Sequence, residues 1–261
     1  MDDHTAFDTF TRSAFGVEPG GRTGSQLEAM AHCVSLPRGI RAPLDHMRDQ
    51  VVYIVRGATK LAARASGNRE QIVAFHFGGD IVSVPADGLH AYAMTSLVQT
   101  ELLVFPAQEF FDRAATEDAI ARSLLRRLTS ALHRCRDKAV ALGCKSANER
   151  LAGFLMAMSE RVGKVDGNRC TLELPMSRRD IGDSLGLTIE TVSRQLGVMR
   201  EAGLIETSGR SQIVVRDLNN LARRAGHQCQ HCEIFPQNSK FDLDQCAECD
   251  PRIAVDATEG A

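Results

Sequence analysis

No stretch of this 261-residue sequence approaches the ~18 consecutive apolar residues that a membrane-spanning helix requires. The amino-terminal MDDHTAFDTF carries acids where a secretory leader carries bases, so the expected location is cytoplasmic, with no membrane partner. Walker phosphate loops, G-x-G-x-x-G and H-E-x-x-H are all missing, which removes several usual anchors of enzyme chemistry. Internal repeats and low-complexity runs are also absent. Aromatic residues make up only 5% of the chain, but 43% of it is apolar and 25% charged, enough for a packed globular core. A basic excess is lacking too: the net charge of −2 excludes a wholly basic nucleic-acid coat. The mean hides an asymmetry, because residues 144–216 hold 11 Lys/Arg against 9 Asp/Glu and residues 226–261 hold 2 against 7. A local basic patch on the former segment remains compatible with DNA.

The chain divides by pattern into an α+β protein of five parts. Residues 1–24 are polar and glycine-containing, with Phe7, Phe10 and Phe15 as the only strong anchors, and read as a flexible arm. Residues 25–106 hold short β-type runs between turns, including Val51–Val55, Gln71–Phe77 and Leu97–Phe105, which suggest a small β-barrel or sandwich. Residues 107–143 switch to helical periodicity. Leu125, Leu128, Leu132, Cys135, Ala139 and Leu142 alternate at spacings of 3 and 4, the seam of a self-pairing helix. The same spacing would serve a helix packed on its own barrel, but the strict alternation, with arginines between, favours a homodimer. Residues 144–220 combine a helix (Glu149–Val162), a strand (Cys170–Leu174), two short helices and a hairpin (Leu204–Thr207 and Gln212–Val215), and residues 221–261 form a cysteine-rich tail.

Chemistry concentrates in Ser177–Leu196. Ser177 followed three residues later by Asp180 makes a capping-box start, and Ile181 and Leu185 give a first helix one apolar face. Gly186 supplies a sharp turn, and Thr188 can cap a second helix whose Ile189, Val192, Leu196 and Met199 face inward. Glu190, Ser193, Arg194 and Gly197 then share the outward face. This is a helix-turn-helix that presents a carboxylate, a hydroxyl and a guanidinium from one surface. Such groups suit the major groove: arginine bonds bidentately to guanine, a carboxylate accepts from cytosine, and a hydroxyl serves base or phosphate. An i,i+4 ion pair between Glu190 and Arg194 on a structural helix is the plainer alternative. The hairpin that follows, with Arg210 at its tip, reads as a wing over phosphates. The DNA-binding set expected is Arg178, Arg179, Thr188, Glu190, Thr191, Ser193, Arg194 and Arg210, and the partner is double-stranded DNA.

Four stretches, VVYIVRGATKL (51–61), GNREQIVAFHFGGDIVS (67–83), LGCKSANERLAGFL (142–155) and SRRDIGDSLGLTIETVSRQLGVMREAGLI (177–205), resemble the cyclic-AMP receptor protein/fumarate–nitrate regulator (CRP/FNR) family of bacterial transcription factors. The likeness spans 27–220, and Glu190-x-x-Ser193-Arg194 matches the recognition helix of the FNR/FixK branch. It implies a cyclic-nucleotide-binding-type β-barrel, a long dimerisation helix, a winged helix-turn-helix, a palindromic TTGAT-type operator and RNA polymerase as a further partner.

Two departures narrow the effector. Family members that bind cyclic AMP use a glutamate for the ribose and an arginine for the cyclic phosphate; here His90 stands near the arginine position and the preceding segment has no glutamate. An unpaired buried phosphate charge is costly, so cyclic AMP is not expected as an effector. The oxygen-sensing branch gathers cysteines ahead of the barrel, whereas Cys33 is the only cysteine before Cys135. Cys33 and Cys170 read as packing residues.

Cys229-x-x-Cys232 and Cys246-x-x-Cys249 lie outside the resemblance. Paired chelates at this spacing suit a tetrahedral thiolate site, with zinc first, an iron–sulfur centre second and a redox dithiol third. A metal- or redox-responsive sensor acting on protein partners through this tail is the alternative function.

Overall fold

A computed structural model describes residues 3–15, 22–64, 70–86, 88–209 and 211–226. They fall into two compact units, 1–138 and 139–261.

The first unit runs α1 (Asp3–Phe10), a π-helical turn (Thr11–Phe15), α2 (Arg22–Met30), β1 (His32–Leu36), β2 (Gln50–Arg56), β3 (Ala58–Arg64), β4 (Glu70–Phe77), β5 (Ile81–Val84), β6 (Ala91–Ser96), β7 (Thr100–Pro106), α3 (Ala107–Ala114) and most of α4 (Asp118–Cys144). The strands pair antiparallel into two sheets, ordered β1-β7-β2-β5 and β4-β3-β6. Strand alternation decides where each side chain goes. Val52 and Ile54 of β2 point between the sheets, where Leu36, Leu61, Val82, Val84, Met94, Leu102 and Val104 complete one core. Val51, Tyr53 and Val55 point the other way, into a second core of helices. A strand buried on both faces reads as an unbroken apolar run, which is what 51–55 is.

That second core corrects the reading of residues 1–24 as a flexible arm. Ala6, Phe7, Phe10, Ala14 and Phe15 are buried against the outer face of the four-stranded sheet, with Phe110, Ile120 and Leu124. The Phe10 ring lies 4.8 Å from Tyr53, 5.0 Å from Phe15 and 5.2 Å from Phe105. Polar contacts add to the packing: Ser123 Oγ donates to the Ala14 carbonyl at 2.8 Å and Arg127 Nη2 to the same oxygen at 3.3 Å. The apolar face of the sheet needs a cover, and the widely spaced phenylalanines supply it.

The helix read as continuous over 107–143 is two helices. Between α3 and α4, the Thr116 hydroxyl donates to the Arg113 carbonyl at 2.7 Å, a local bond that competes with helical continuation. Ile120, Ser123 and Leu124 of α4 face the core. Leu125, Leu128 and Leu132 are 63%, 48% and 49% exposed, Cys135 and Ala139 are exposed, and Leu142 is half-buried. In the single chain this stripe is therefore an outer face, distinct from the one packed on the barrel. Farther along, Lys138 Nζ donates to the carbonyls of Ile72 and Val73, 2.7 Å each, where a bulge in β4 leaves Val73 unpaired.

The second unit holds the end of α4, α5 (Ala147–Val162), β8 (Lys164–Asp166), β9 (Arg169–Glu173), α6 (Arg178–Leu185), α7 (Ile189–Glu201), β10 (Ile205–Ser208), β11 (Gln212–Val215) and α8 (Leu218–Arg224). Its antiparallel sheet has the order β10-β11-β9-β8, and α8 extends the domain beyond the expected end at residue 220. No helix among the described residues is long and apolar enough to cross a membrane.

Replacing Phe10 by Ala should lower unfolding free energy by about 3–5 kcal/mol, the usual loss for a buried Phe. Urea unfolding checks it, and an unchanged midpoint would restore the flexible-arm reading.

Candidate nucleic-acid interface

Local capping builds the helix-turn-helix. Ser177 Oγ accepts from the Asp180 amide at 3.1 Å, and Asp180 Oδ2 accepts from the Ser177 amide at 2.9 Å, so two otherwise orphaned N–H groups are satisfied at the start of α6. At its other end Gly186 sits at φ 64°, ψ 38°, a left-handed conformation that favours glycine. Gly182 answers a closer constraint: a Cβ there would lie 2.6 Å from the Leu187 carbonyl oxygen, so the turn can fold back on α6 only where a side chain is missing. Thr188 Oγ1 then accepts from the Thr191 amide at 3.2 Å and starts α7.

Val192, Leu196 and Met199 of α7 are buried and Ile189 is half-buried, which leaves the opposite face for contact. Glu190 and Arg194 are exposed, and Ser193, Thr191 and Gly197 are half-buried. Arg178 reaches this face from α6, its Nη1 donating to Ser193 Oγ at 3.4 Å. Arg179 is exposed nearby. The Glu190 carboxyl is held below the usual carboxylate range by its own backbone N–H, by the Thr188 hydroxyl and by the charge of Arg179. Among the described residues no ion pair joins Glu190 to Arg194. The plainer sequence alternative is thus not what this helix forms: Glu190 engages its own helix start, and Arg194 is exposed, with no ion pair among the described residues.

Sequence reasoning missed Gln195, whose Oε1 accepts from Asn148 Nδ2 of α5 at 2.9 Å. No spacing rule marks a contact between residues 47 apart. The hairpin of β10 and β11 forms as expected, with Gly209 at φ 62° and an ion pair between Arg216 and Glu206. Arg210, expected at its tip, lies outside the described residues, as do Cys229, Cys232, Cys246 and Cys249. Among the described residues no group of three or more His, Cys, Asp or Glu is placed to hold a metal. Cys33 is half-buried against the helical core, and Cys170 is buried, which pushes its thiol up despite a bond from Ser159.

Residues 149–224 match the family model of the Crp-like helix-turn-helix domain. The nitrogen fixation regulation protein FixK of Azorhizobium caulinodans is 31% identical over 180 residues, covering 69% of this chain and 73% of that protein. The fumarate and nitrate reduction regulatory protein of Escherichia coli K12 is 30% identical over 179 residues, covering 67% and 71%. Among solved structures, FixK2 from Bradyrhizobium japonicum superimposes with a TM-score of 0.65 at 32% identity, over 76% of this chain and 99% of that one.

Ser177→Ala removes the cap of α6 and should cost about 0.5–2 kcal/mol. Thermal unfolding followed by circular dichroism reads the loss, and an unchanged midpoint would show that the capping box contributes nothing.

Proposed function

The chain belongs to the CRP/FNR family of transcription regulators, in its FixK/FNR branch, and we propose that it works as a cytoplasmic homodimer reading a palindromic DNA site through α7 without cyclic AMP. The observation that carries this reading is the outward face of α7, where Arg194 stands without an ion pair among the described residues, beside Ser193 and an ionised Glu190. Arg194 offers two donors to guanine O6 and N7, and Glu190 accepts from a cytosine amino group. Arg178 and Arg179, at the start of α6, take the flanking phosphates, and the same role is assigned to Arg210, which lies outside the described residues. By family likeness each half-site is of the TTGAT type, and RNA polymerase is the partner through which transcription changes.

Pairing is assigned to α4. Leu125, Leu128, Leu132, Cys135, Ala139 and Leu142 form a stripe that the barrel leaves uncovered, and a second copy of the stripe would bury it in a coiled-coil seam. Two-fold symmetry would then set the two copies of α7 in successive major grooves, about 34 Å apart. Independence of cyclic AMP rests on the 78–93 segment: Val84 is packed in the inter-sheet core, His90 is exposed, and no arginine or glutamate is present to meet ribose and phosphate.

Selection from random DNA should return an inverted repeat. Arg194→Ala should then lose roughly 1–3 kcal/mol and relax choice at one G·C pair. Glu190→Ala should widen the accepted half-sites with little loss of affinity. Uniform weakening on all sequences by both variants would contradict base reading.

The tail is assigned a metal. Four thiolates in two chelating pairs suit zinc, or else an iron–sulfur centre, and the acidic surroundings make a bound cation more valuable. Elemental analysis of anaerobically purified protein should find about one metal per chain, lost in Cys229→Ser/Cys246→Ser. Metal-free protein with full DNA affinity would contradict this assignment.

A further inference from the structure

Three helix ends meet at the link between α4 and α5, which consists of Lys145 and Ser146 alone. The last carbonyls of any helix lack intrahelical donors and carry the negative end of its dipole. Arg150, in the first turns of α5, donates through Nε to the Lys145 carbonyl at 2.9 Å and through Nη1 to the Leu185 carbonyl at 3.1 Å. The first oxygen closes α4, whose helical pattern continues into the Lys145 amide bonded to Ala141. The second closes α6, immediately before the left-handed Gly186 from which α7 is directed. Lys145 Nζ meets a third end, donating to the Ala225 carbonyl after α8 at 2.7 Å. Leu142 is drawn in as well, since a Cβ on Gly186 would come 3.4 Å from its Cδ2.

The geometry needs a guanidinium. Its donors lie at different edges of one rigid plane, so one side chain can hold two carbonyls from different helices in a fixed relation. An ammonium supplies the charge from a single point on a flexible stem and fixes neither direction. Capping α4 and α6 could be done separately by two local residues; joining them through one plane constrains the angle between them.

We infer that Arg150 is a positioning residue for DNA recognition: its guanidinium clamps the end of the pairing helix α4 to the turn between α6 and α7, and so sets the tilt at which each chain presents its reading helix. This rests on the dimeric, palindrome-reading function proposed above. It adds a specific consequence. Base choice belongs to Glu190, Ser193 and Arg194, whereas the allowed distance between half-sites belongs to Arg150.

The test uses the full-length chain and its Arg150→Gln and Arg150→Lys variants, titrated on palindromes whose spacers differ by one or two base pairs and on palindromes with altered half-site bases. Arg150→Gln should bind the best spacer about ten-fold more weakly or worse, as expected when charged hydrogen bonds are lost. Its discrimination among spacers should collapse while its order of preference among half-site bases stays that of the parent. Arg150→Lys, with the charge but not the fork, should lose spacer discrimination as well. Parallel weakening on every site, with spacer preference kept and the thermal midpoint lowered, would make Arg150 merely structural and overturn the inference. Unchanged binding by both variants would overturn it too. A parent protein without preference for any palindrome would instead overturn the functional reading, and the inference with it.

Discussion

A sheet with two apolar faces has to be covered twice, and most of this molecule follows from that requirement. The side chains of β2 alternate between the inter-sheet core, through Val52 and Ile54, and a helical layer, through Val51, Tyr53 and Val55. The first face is met by the smaller sheet. The second recruits the phenylalanines of α1 and the following turn, Phe110 of α3, and Ile120 and Leu124 of α4. Beside those inward-facing residues, Leu125, Leu128 and Leu132 of α4 stay exposed. An exposed leucine stripe of this kind is unfavourable in water. The proposed pairing would use the stripe that this way of covering the barrel leaves exposed.

The reading helix depends on the same principle at smaller scale. Val192, Leu196 and Met199 anchor α7, the caps at Ser177 and Thr188 fix where α6 and α7 begin, and the missing side chain of Gly182 lets the turn close. The outward face is then left without a role in the core. Arg194 can therefore project from a well-packed helix without an ion pair among the described residues, and Gly197, in open space and costly to a helix interior, is tolerated there.

Features that rest on local chemistry were legible in the sequence. The apolar run 51–55, the caps at Ser177 and Thr188, the turn at Gly186 and the hairpin after Leu204 all depend on neighbours within a few residues. Features set by distant partners were not. Phe7, Phe10 and Phe15 looked like scattered anchors because their contacts, Tyr53 and Phe105, lie far along the chain. The break at Thr116 follows a weak local competition that helical periodicity does not register. The three-residue strand β8 and the short helix α8 are too brief for a periodic signal. Within the candidate site, the outward-facing trio on α7 followed from spacing alone, but Gln195 with Asn148 and the clamp of Arg150 exist only because other helices come close.

The central claim is that DNA is read by two chains paired through α4. Sedimentation velocity on the parent and on Leu128→Arg/Leu132→Arg, each with and without a selected palindrome, tests it most directly. The account predicts a parent dimer that binds the palindrome as a dimer, and a folded variant that sediments as a monomer and no longer distinguishes the palindrome from a single half-site. A variant that remains dimeric, or a monomeric parent that still prefers the palindrome, would contradict it.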